Sequence, residues 1–394
     1  MKWASFLSEE ACLDVAVKQS AGEIERALGG RRPDLLLLFA SEHHMDDYPT
    51  VPQEVRRYFP STRFFGCSGG GVVGGGREIE HAPALSMTAA LLPDVHIDLF
   101  HLDSIESEQL IERPGQWPSR LDADMSKPAH FVLLADPFSC DARGLLTSLD
   151  SVYPESQKVG GLASGASRPG DNALFIDDDV RTEGVAGLLL NGDIAMDTIV
   201  AQGCRPIGPP LFITSAVRNR ILELDGRRPT ELLGELYDEL SVADRKLFRH
   251  SLFLGVVMAE GRSAYSRGDF LVRNLVGVEP ETGVITVGEL VEPGQVVQFH
   301  LRDADTSAED LDALLREYKS NNGATPDGAL LFSCLGRGET LYGEPDHDSR
   351  MINTRLGEMP IGGFFCNGEI GPVDRRTFVH GYTSSIALFR RRQG

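Results

Sequence analysis

The sequence has little cysteine, and none of it is paired by spacing. Its six cysteines (Cys12, Cys67, Cys140, Cys204, Cys334 and Cys366) contain no Cys-x-x-Cys. That excludes a zinc ribbon, a thioredoxin-type dithiol and c-type haem attachment. Free thiols in a reducing compartment are the reading that follows. Long hydrophobic runs are missing too. The longest apolar stretches, such as Leu35 to Ala40, are strand-sized and fall short of the roughly 18–20 residues that cross a bilayer. Near the N-terminus Glu9, Glu10 and Asp14 stand where a signal peptide needs an uncharged core. Basic charge is scarce: 38 Lys and Arg against 58 Asp and Glu leave a net charge of −20. So acidic a chain is unsuited to nucleic acid or an anionic membrane surface, and neither is expected as a partner. A cytoplasmic location is expected. The 10 histidines include no His-Glu-x-x-His and no tight Cys/His set, so no metal is expected.

Glycine, by contrast, is abundant: 42 of 394 residues, about 11% against a typical ~7%. The glycines cluster in a pattern that occurs three times. Asp34 to Phe39 reads as a buried strand ending at Ser41-Glu42-His43-His44, followed by a helix near Val51 to Tyr58 and a strand Arg63 to Gly69. His130 to Ala135 ends at Asp136-Pro137-Phe138-Ser139, then a helix Ala142 to Val152 leads to Val159 to Gly165. Gly328 to Phe332 ends at Ser333-Cys334-Leu335-Gly336-Arg337, then a helix Ser349 to Leu356 leads to Ile361 to Gly368. The paired strands are offset by roughly 27–31 residues, the length of one βαβ crossover. A further apolar strand follows each unit: Ala84 to Leu92, Gly184 to Leu190 and His380 to Phe389.

The expected fold class is therefore α/β: repeated βαβ-type modules with added antiparallel strands, arranged as two packed halves. Residues 1–33 are expected to form an N-terminal helix, capped by Ser8 and stopped by Gly29-Gly30. Residues 34–205 and 206–389 form the halves, with a boundary near Pro206 to Pro210 and a tail at 390–394. Strands are also predicted at 197–203, 252–258, 269–276, 283–287 and 295–301. Helices are predicted at 229–240 and 307–318, the latter capped by Ser307.

Several motifs each have an ordinary reading. Gly69 to Gly74 matches G-x-G-x-x-G, but Gly74-Gly75-Gly76 and Pro83 leave no room for the helix that receives a pyrophosphate. A wide glycine loop that lets backbones approach is the alternative. Gly66-Cys67-Ser68-Gly69-Gly70 satisfies G-x-S-x-G without the following helix of a nucleophile elbow, although Asp348 and His380 come later. Cys67, Cys334 and Cys366 at strand ends are either nucleophiles or small buried hydrophobes. His43-His44 presents a ring to a cleft or lies in a solvated loop.

The stronger signal is convergence. In α/β sheets ligands sit beyond the carboxyl ends of strands, and those ends carry His43, His44, Asp136, Ser139, Cys334 and Arg337. Their partner strands add Cys67, Ser68, Ser164, Cys366, Asn367 and Glu369. Amide, carboxylate and guanidinium groups beside glycine suit a small polar ligand. Arg337, or else Arg273, is expected to pair a ligand carboxylate, and Asp136 or Glu369 to take its amine.

The run Gly362 to Pro372 (GGFFCNGEIGP), with the strand ending at His43-His44, the Gly66-Cys67 loop and Phe270 to Leu275, resembles the signature of FIST proteins over about residues 34 to 389. The resemblance implies FIST N and FIST C parts and a sensory domain that binds small, amino-acid-like ligands. It places Cys366, Asn367 and Glu369 at the C-terminal site, with Arg273 and Asn274 nearby. Signalling would then pass to a separate protein or proceed by self-association. Some relatives bind haem and sense nitric oxide through a histidine, which maps to no residue here. Haem is thus the alternative to a chain with no cofactor. A thiol- or serine-dependent enzyme at the same cleft is the other alternative.

Overall fold

A strand that reads Leu-Leu-Leu-Leu-Phe-Ala has no polar face to offer solvent, so it needs cover on both sides. The computed structural model, which describes residues 1–124, 127–259, 261–262 and 264–392, supplies that cover in three modules of one pattern. The first module runs β1 (Lys2–Ser8), α1 (Leu13–Leu28), β2 (Leu35–Ser41), a 3-10 segment into α2 (Val51–Arg56), and β3 (Arg63–Gly69). A hairpin of β4 (Gly71–Gly74) and β5 (Arg77–Glu80) precedes its last strand, β6 (Leu85–Leu91). The second runs β7 (Val95–Leu102), α3 (Ser104–Glu112), α4 (Trp117–Arg120), β8 (Ala129–Ala135), α5 (Ala142–Val152) and β9 (Lys158–Leu162). Its hairpin is β10 (Leu174–Ile176) and β11 (Asp179–Arg181), and it closes with β12 (Val185–Gly192).

The third module opens with β13 (Ile194–Gln202) and is then interrupted. The insertion comprises β14 (Cys204–Val217), β15 (Arg220–Leu224), α6 (Pro229–Glu239), α7 (Val242–Phe248), β16 (Leu252–Val257), β17 (Phe270–Val278), β18 (Ile285–Val287) and β19 (Val296–Arg302). The module resumes with α8 (Ala304–Asn322), β20 (Gly328–Cys334), α9 (Gly338–Tyr342), α10 (His347–Leu356) and β21 (Ile361–Cys366). The hairpin β22 (Glu369–Val373) and β23 (Arg376–His380) and the strand β24 (Thr383–Arg391) complete it.

Each module builds one sheet in the same order: opening strand, closing strand, the two parallel strands, then a hairpin. The sheets are β1-β6-β2-β3-β10-β11, β7-β12-β8-β9-β22-β23 and β13-β24-β20-β21-β4-β5. In every case the hairpin comes from another module, so the three sheets form a closed cycle of exchanges. Helix contacts lock each hairpin in place. Arg56 of α2 pairs with Asp178 at 2.6 Å in the β10–β11 turn. Asp150 of α5 accepts the Thr377 hydroxyl of β23 at 2.8 Å. Glu78 of β5 accepts the Ser349 N–H of α10 at 2.6 Å.

The core of this unit draws on all three sheets, through Leu37, Phe39, Val132, Leu134, Leu330 and Phe332 among others. Phe364 stacks on Phe39 at 5.1 Å between ring centres and meets Phe332 edge-on at 5.9 Å. Outer cores lie under the helices. Helix α1 buries Leu13, Ala16, Val17, Ala21, Ile24 and Leu28, the three-and-four spacing of one helical face.

Two compact units result. One comprises residues 1–200, 312–379 and 383–394, and the other residues 201–311 and 380–382. The second unit holds a closed barrel, β14-β15-β18-β17-β16-β19, around Ile213, Ile221, Leu254, Ile285 and Val297.

The α/β class and the threefold repeat are observed, while several boundaries differ from expectation. The three modules share one compact unit, and the inserted barrel belongs to the other. Lys2 to Ser8 is a strand in register with β6. Ser8 caps nothing: its hydroxyl donates to Gln19 Oε1, and the residue before α1 is Cys12. The Pro206 to Pro210 boundary falls inside β14, where a register shift between Ile207 and Leu211 accommodates the prolines. Helix α8 begins before Ser307, with the Asp303 carboxylate accepting the Thr306 N–H at 2.7 Å. Of the expected tail 390–394, Arg390 and Arg391 belong to β24, and residues 393 and 394 lie outside the described residues.

Candidate functional site

The carboxyl ends of the parallel strands meet within the first unit. At the ends of β3, β9 and β21 the chain reads Ser68-Gly69-Gly70, Ala163-Ser164-Gly165 and Cys366-Asn367-Gly368, and these segments bond one another. The Ser164 N–H donates to Ser68 O at 3.3 Å, and Leu162 N–H to Gly368 O at 2.8 Å. Asn367 N–H donates to Leu162 O at 3.1 Å and Leu335 N–H to Cys366 O at 3.1 Å. The Ser164 hydroxyl accepts Gly70 N–H at 2.9 Å and donates to Phe365 O. Glycine is required at this junction. Gly165 has φ +91°, and a β-carbon there would stand 3.0 Å from Glu42 Cβ and 3.1 Å from Gly69 O. Glu42, His43 and Asn367 are exposed around it.

A polar chain runs inward from the junction. The Ser68 hydroxyl accepts Ala173 N–H at 3.1 Å and lies 3.4 Å from Asn172 Oδ1. The Asn172 amide donates to Asp136 at 3.0 Å, and Asp136 also accepts the Ser139 hydroxyl at 2.7 Å. Ser139 in turn accepts Gly184 N–H at 2.8 Å. Ser68, Asp136 and Ser139 are thus joined through Asn172, which sequence reasoning missed. Its only signal is the turn run Pro169-Gly170-Asp171-Asn172.

His44 is 1% exposed, and neither ring nitrogen has a hydrogen-bond partner among the described residues. Burial lowers its pKa and holds the ring neutral. Cys67 and Cys366 are fully buried. Desolvation raises both thiols well above the ordinary range, and at Cys366 the nearby Glu369, Cys67 and Cys334 push the same way. That is opposite to the activation a nucleophilic thiolate needs, and the bonds of Ser68 to Asn172 and Ala173 include no general base. Cys334 ends β20, half-buried, its carbonyl accepting Arg337 N–H at 2.8 Å. Glu369 is buried and accepts Thr383 N–H at 3.1 Å. Gly69 to Gly74 forms the end of β3 and all of β4. A β-carbon on Gly74 would stand 2.7 Å from Ser86 Oγ, so this glycine loop admits a neighbouring strand.

Arg337, expected to clamp a ligand carboxylate, already has one. It is 0% exposed, and its Nε and Nη2 donate to Asp348 at 2.8 and 3.1 Å, with Nη2 also donating to the Tyr342 hydroxyl at 2.6 Å. Asp348 further accepts the Ser384 hydroxyl at 2.5 Å and faces His347 Nδ1 at 2.9 Å. Arg273 and Asn274 lie on β17 in the second unit. There Arg273 pairs with Glu289 at 2.6 Å, and Asn274 accepts the Tyr382 hydroxyl. Among the described residues no cluster of His, Cys, Asp and Glu is placed to hold a metal, and no helix is long and apolar enough to cross a membrane.

Glu78 stands apart chemically. Burial first, and then the charge of Asp348, push its carboxyl up to about 8. An unfolded Glu ionises near ~4.3, so between these values the unfolded chain sheds a proton that the folded one keeps. This group's stability contribution is complete below the unfolded value and is lost as pH rises through 8, at up to about 1.4 kcal/mol per pH unit. Glu78→Gln keeps an acceptor for Ser349 and should remove that slope. Urea unfolding at pH 5 and pH 8 reads it: the wild type should lose stability relative to the variant, and parallel losses would reject the assignment.

Comparison with known proteins supplies the family. The FIST N domain model matches residues 34–227 and the FIST C domain model residues 230–372. Their border falls in the barrel, between β15 and α6. An uncharacterised protein of Mycobacterium tuberculosis is 36% identical over 376 residues, 95% of this chain and 96% of its own. An F-box/LRR-repeat protein of Arabidopsis thaliana is 24% identical over 364 residues, covering 76% of this chain and 66% of that one. A cyanuric acid hydrolase from A. caulinodans aligns over all of both chains with a TM-score of 0.33 and 9% identity, a likeness too slight to carry an argument. With both domain models spanning nearly the whole sequence, the chain belongs to the FIST family.

Proposed function

We propose that this chain is a cytoplasmic sensory protein that binds a small polar ligand, such as an amino acid or carboxylate, at the strand-end junction of the first unit. The observation that carries the reading is the bonding of one strand-end segment from each module to the next, Ser164 N–H to Ser68 O, the Ser164 hydroxyl to Phe365 O and Asn367 N–H to Leu162 O, with Glu42, His43 and Asn367 exposed. A ligand seated there touches all three modules at once, so its binding is felt by every sheet. Glu42 suits a ligand amine, the Asn367 amide suits a carboxylate, and His44 adds a neutral ring with donor and acceptor to spare. Family membership supports a sensory role, and a downstream protein or a second copy of the chain would read the bound state. The buried, proton-retaining thiols of Cys67 and Cys366 favour binding over catalysis.

A thermal-shift series with amino acids and small carboxylates tests this. A ligand at a hundredfold excess over its Kd adds about 2.7 kcal/mol to stability, so the hit should raise the melting temperature clearly. Asn367→Ala, at an exposed position, should melt like the wild type and lose most of the ligand shift. A series in which no amino acid or carboxylate moves the melting temperature would remove the proposal.

A further inference from the structure

The opposite end of the first sheet has a different chemistry. Where β2 and β3 begin, a cavity of about 480 Å3 is lined by Arg32, Asp34, Ser61, Arg63 and His96. In a chain of net charge −20, two guanidiniums line this cavity with one carboxylate, Asp34. The single lining carboxylate is engaged: Asp34 Oδ2 accepts the Leu92 N–H at 2.7 Å. Arg32 Nη1 donates to Ser61 Oγ at 2.6 Å, which orients the guanidinium and the hydroxyl together. Arg63 is held from behind by Asp177, 2.8 Å from its Nη1, while its Nε–H is buried with no hydrogen-bond partner among the described residues. His96 stands 3.4 Å from Asp122.

We propose that Arg32, Ser61 and Arg63 form a second binding site, for the phosphoryl group of a small anion. Each guanidinium carries five N–H donors, more than the bonds of Arg32 to Ser61 and of Arg63 to Asp177 use, and phosphoryl oxygens can take the others. Tetrahedral oxygens take donors from several directions, which suits two forked guanidiniums and a hydroxyl better than a planar carboxylate does. The cavity is larger than inorganic phosphate and within the range of small-molecule sites, leaving room for the rest of a phosphate ester. This site lies at the amino ends of the parallel strands and does not depend on the ligand proposed for their carboxyl ends.

Calorimetric titration of the full chain at fixed ionic strength, with inorganic phosphate, adenosine monophosphate and acetate as probes, tests the site. Saturable binding of phosphate or the nucleotide is expected, weakened about tenfold or more by Arg32→Gln, as loss of a charge-assisted bond predicts. Ser61→Ala should weaken it less, and Asn367→Ala not at all. Equal affinity for phosphate and nucleotide assigns the phosphoryl group alone, and tighter nucleotide binding assigns an ester. Both results support the site. No saturable phosphate or nucleotide binding, undiminished binding by Arg32→Gln, or acetate that binds as tightly as phosphate and is weakened equally by Arg32→Gln would overturn it.

Discussion

Gly363→Ala should yield no folded protein, or one destabilised by more than about 4 kcal/mol, the range reserved for severe steric faults. On β21, Gly363 pairs with Leu331 of β20. A β-carbon there would stand 1.9 Å from the Leu331 carbonyl oxygen, and the backbone sits at φ +145°. Both atoms belong to a main chain held on each side, so neither can move away. The same contact recurs at the equivalent register in the other modules. A β-carbon on Gly160 would stand 1.9 Å from Leu133 O, and one on Gly66 would stand 1.8 Å from Leu38 O. Three unrelated positions in the sequence thus carry one geometric demand, and alanine at any of them should be about equally damaging. Gly22→Ala is the matching control, because nothing lies within 4 Å of its β-carbon. In the middle of α1 it should stabilise by about 0.5–1 kcal/mol. Soluble yield and urea unfolding of the four variants decide the matter. A Gly363→Ala protein unfolding near the wild-type midpoint would show that the strand pair is not so constrained.

Those glycines explain why so much of the fold was legible. The first strand of each parallel pair is a mostly apolar run and its partner, rich in glycine, follows at crossover distance, so β2/β3, β8/β9 and β20/β21 are legible directly, as are β6, β12 and β24. What could not be read is where the hairpins go. A short strand such as Arg77 to Glu80 carries no local mark of which sheet edge accepts it, and β4–β5 joins a sheet whose other strands lie more than a hundred residues further along. Pairing across such a gap is decided by the assembled core. The N-terminal strand is hidden in the sequence for a related reason. Lys2 to Ser8 lacks clean alternation, and its identity comes from its seven-residue register with β6. The barrel strands were mostly visible, yet nothing in their sequence announces an insertion that interrupts the third module.

At the site the residue types were legible and their partners less so. Asp136, Ser139 and Ser68 do converge, but through Asn172, which sits in a loop with no motif. The sequence places Arg337 at a strand end and Asp348 eleven residues later with nothing to join them, and in the fold they bond each other. A strand-end arginine normally reaches solvent. This one is turned inward because an aspartate enters the first turn of α10, eleven residues later.

Arg337→Ala separates the two roles. Burial by itself would raise the Asp348 carboxyl, but the Arg337 charge, with bonds from His347, Arg337 and Ser384, overrides that and holds it well below the usual carboxylate range. A carboxylate held low contributes stability above its unfolded value, near ~3.9, and loses that contribution as pH falls through the folded value. Without the guanidinium, burial acts unopposed, and an uncompensated charge at a 1% exposed position costs about 3–5 kcal/mol. The loss should be large at pH 7 and smaller near pH 4, where the variant's aspartate takes up a proton at little cost. Asp348→Asn in the same chain should recover part of it, since the amide carries no charge and keeps an acceptor for Ser384. A ligand clamp predicts the reverse pattern: an unchanged apo melting temperature, no pH dependence of the difference, no rescue by Asp348→Asn, and a lost ligand shift. Unfolding of the two single variants and the double variant at both pH values distinguishes them. An Arg337→Ala protein as stable as the wild type would return this arginine to the ligand.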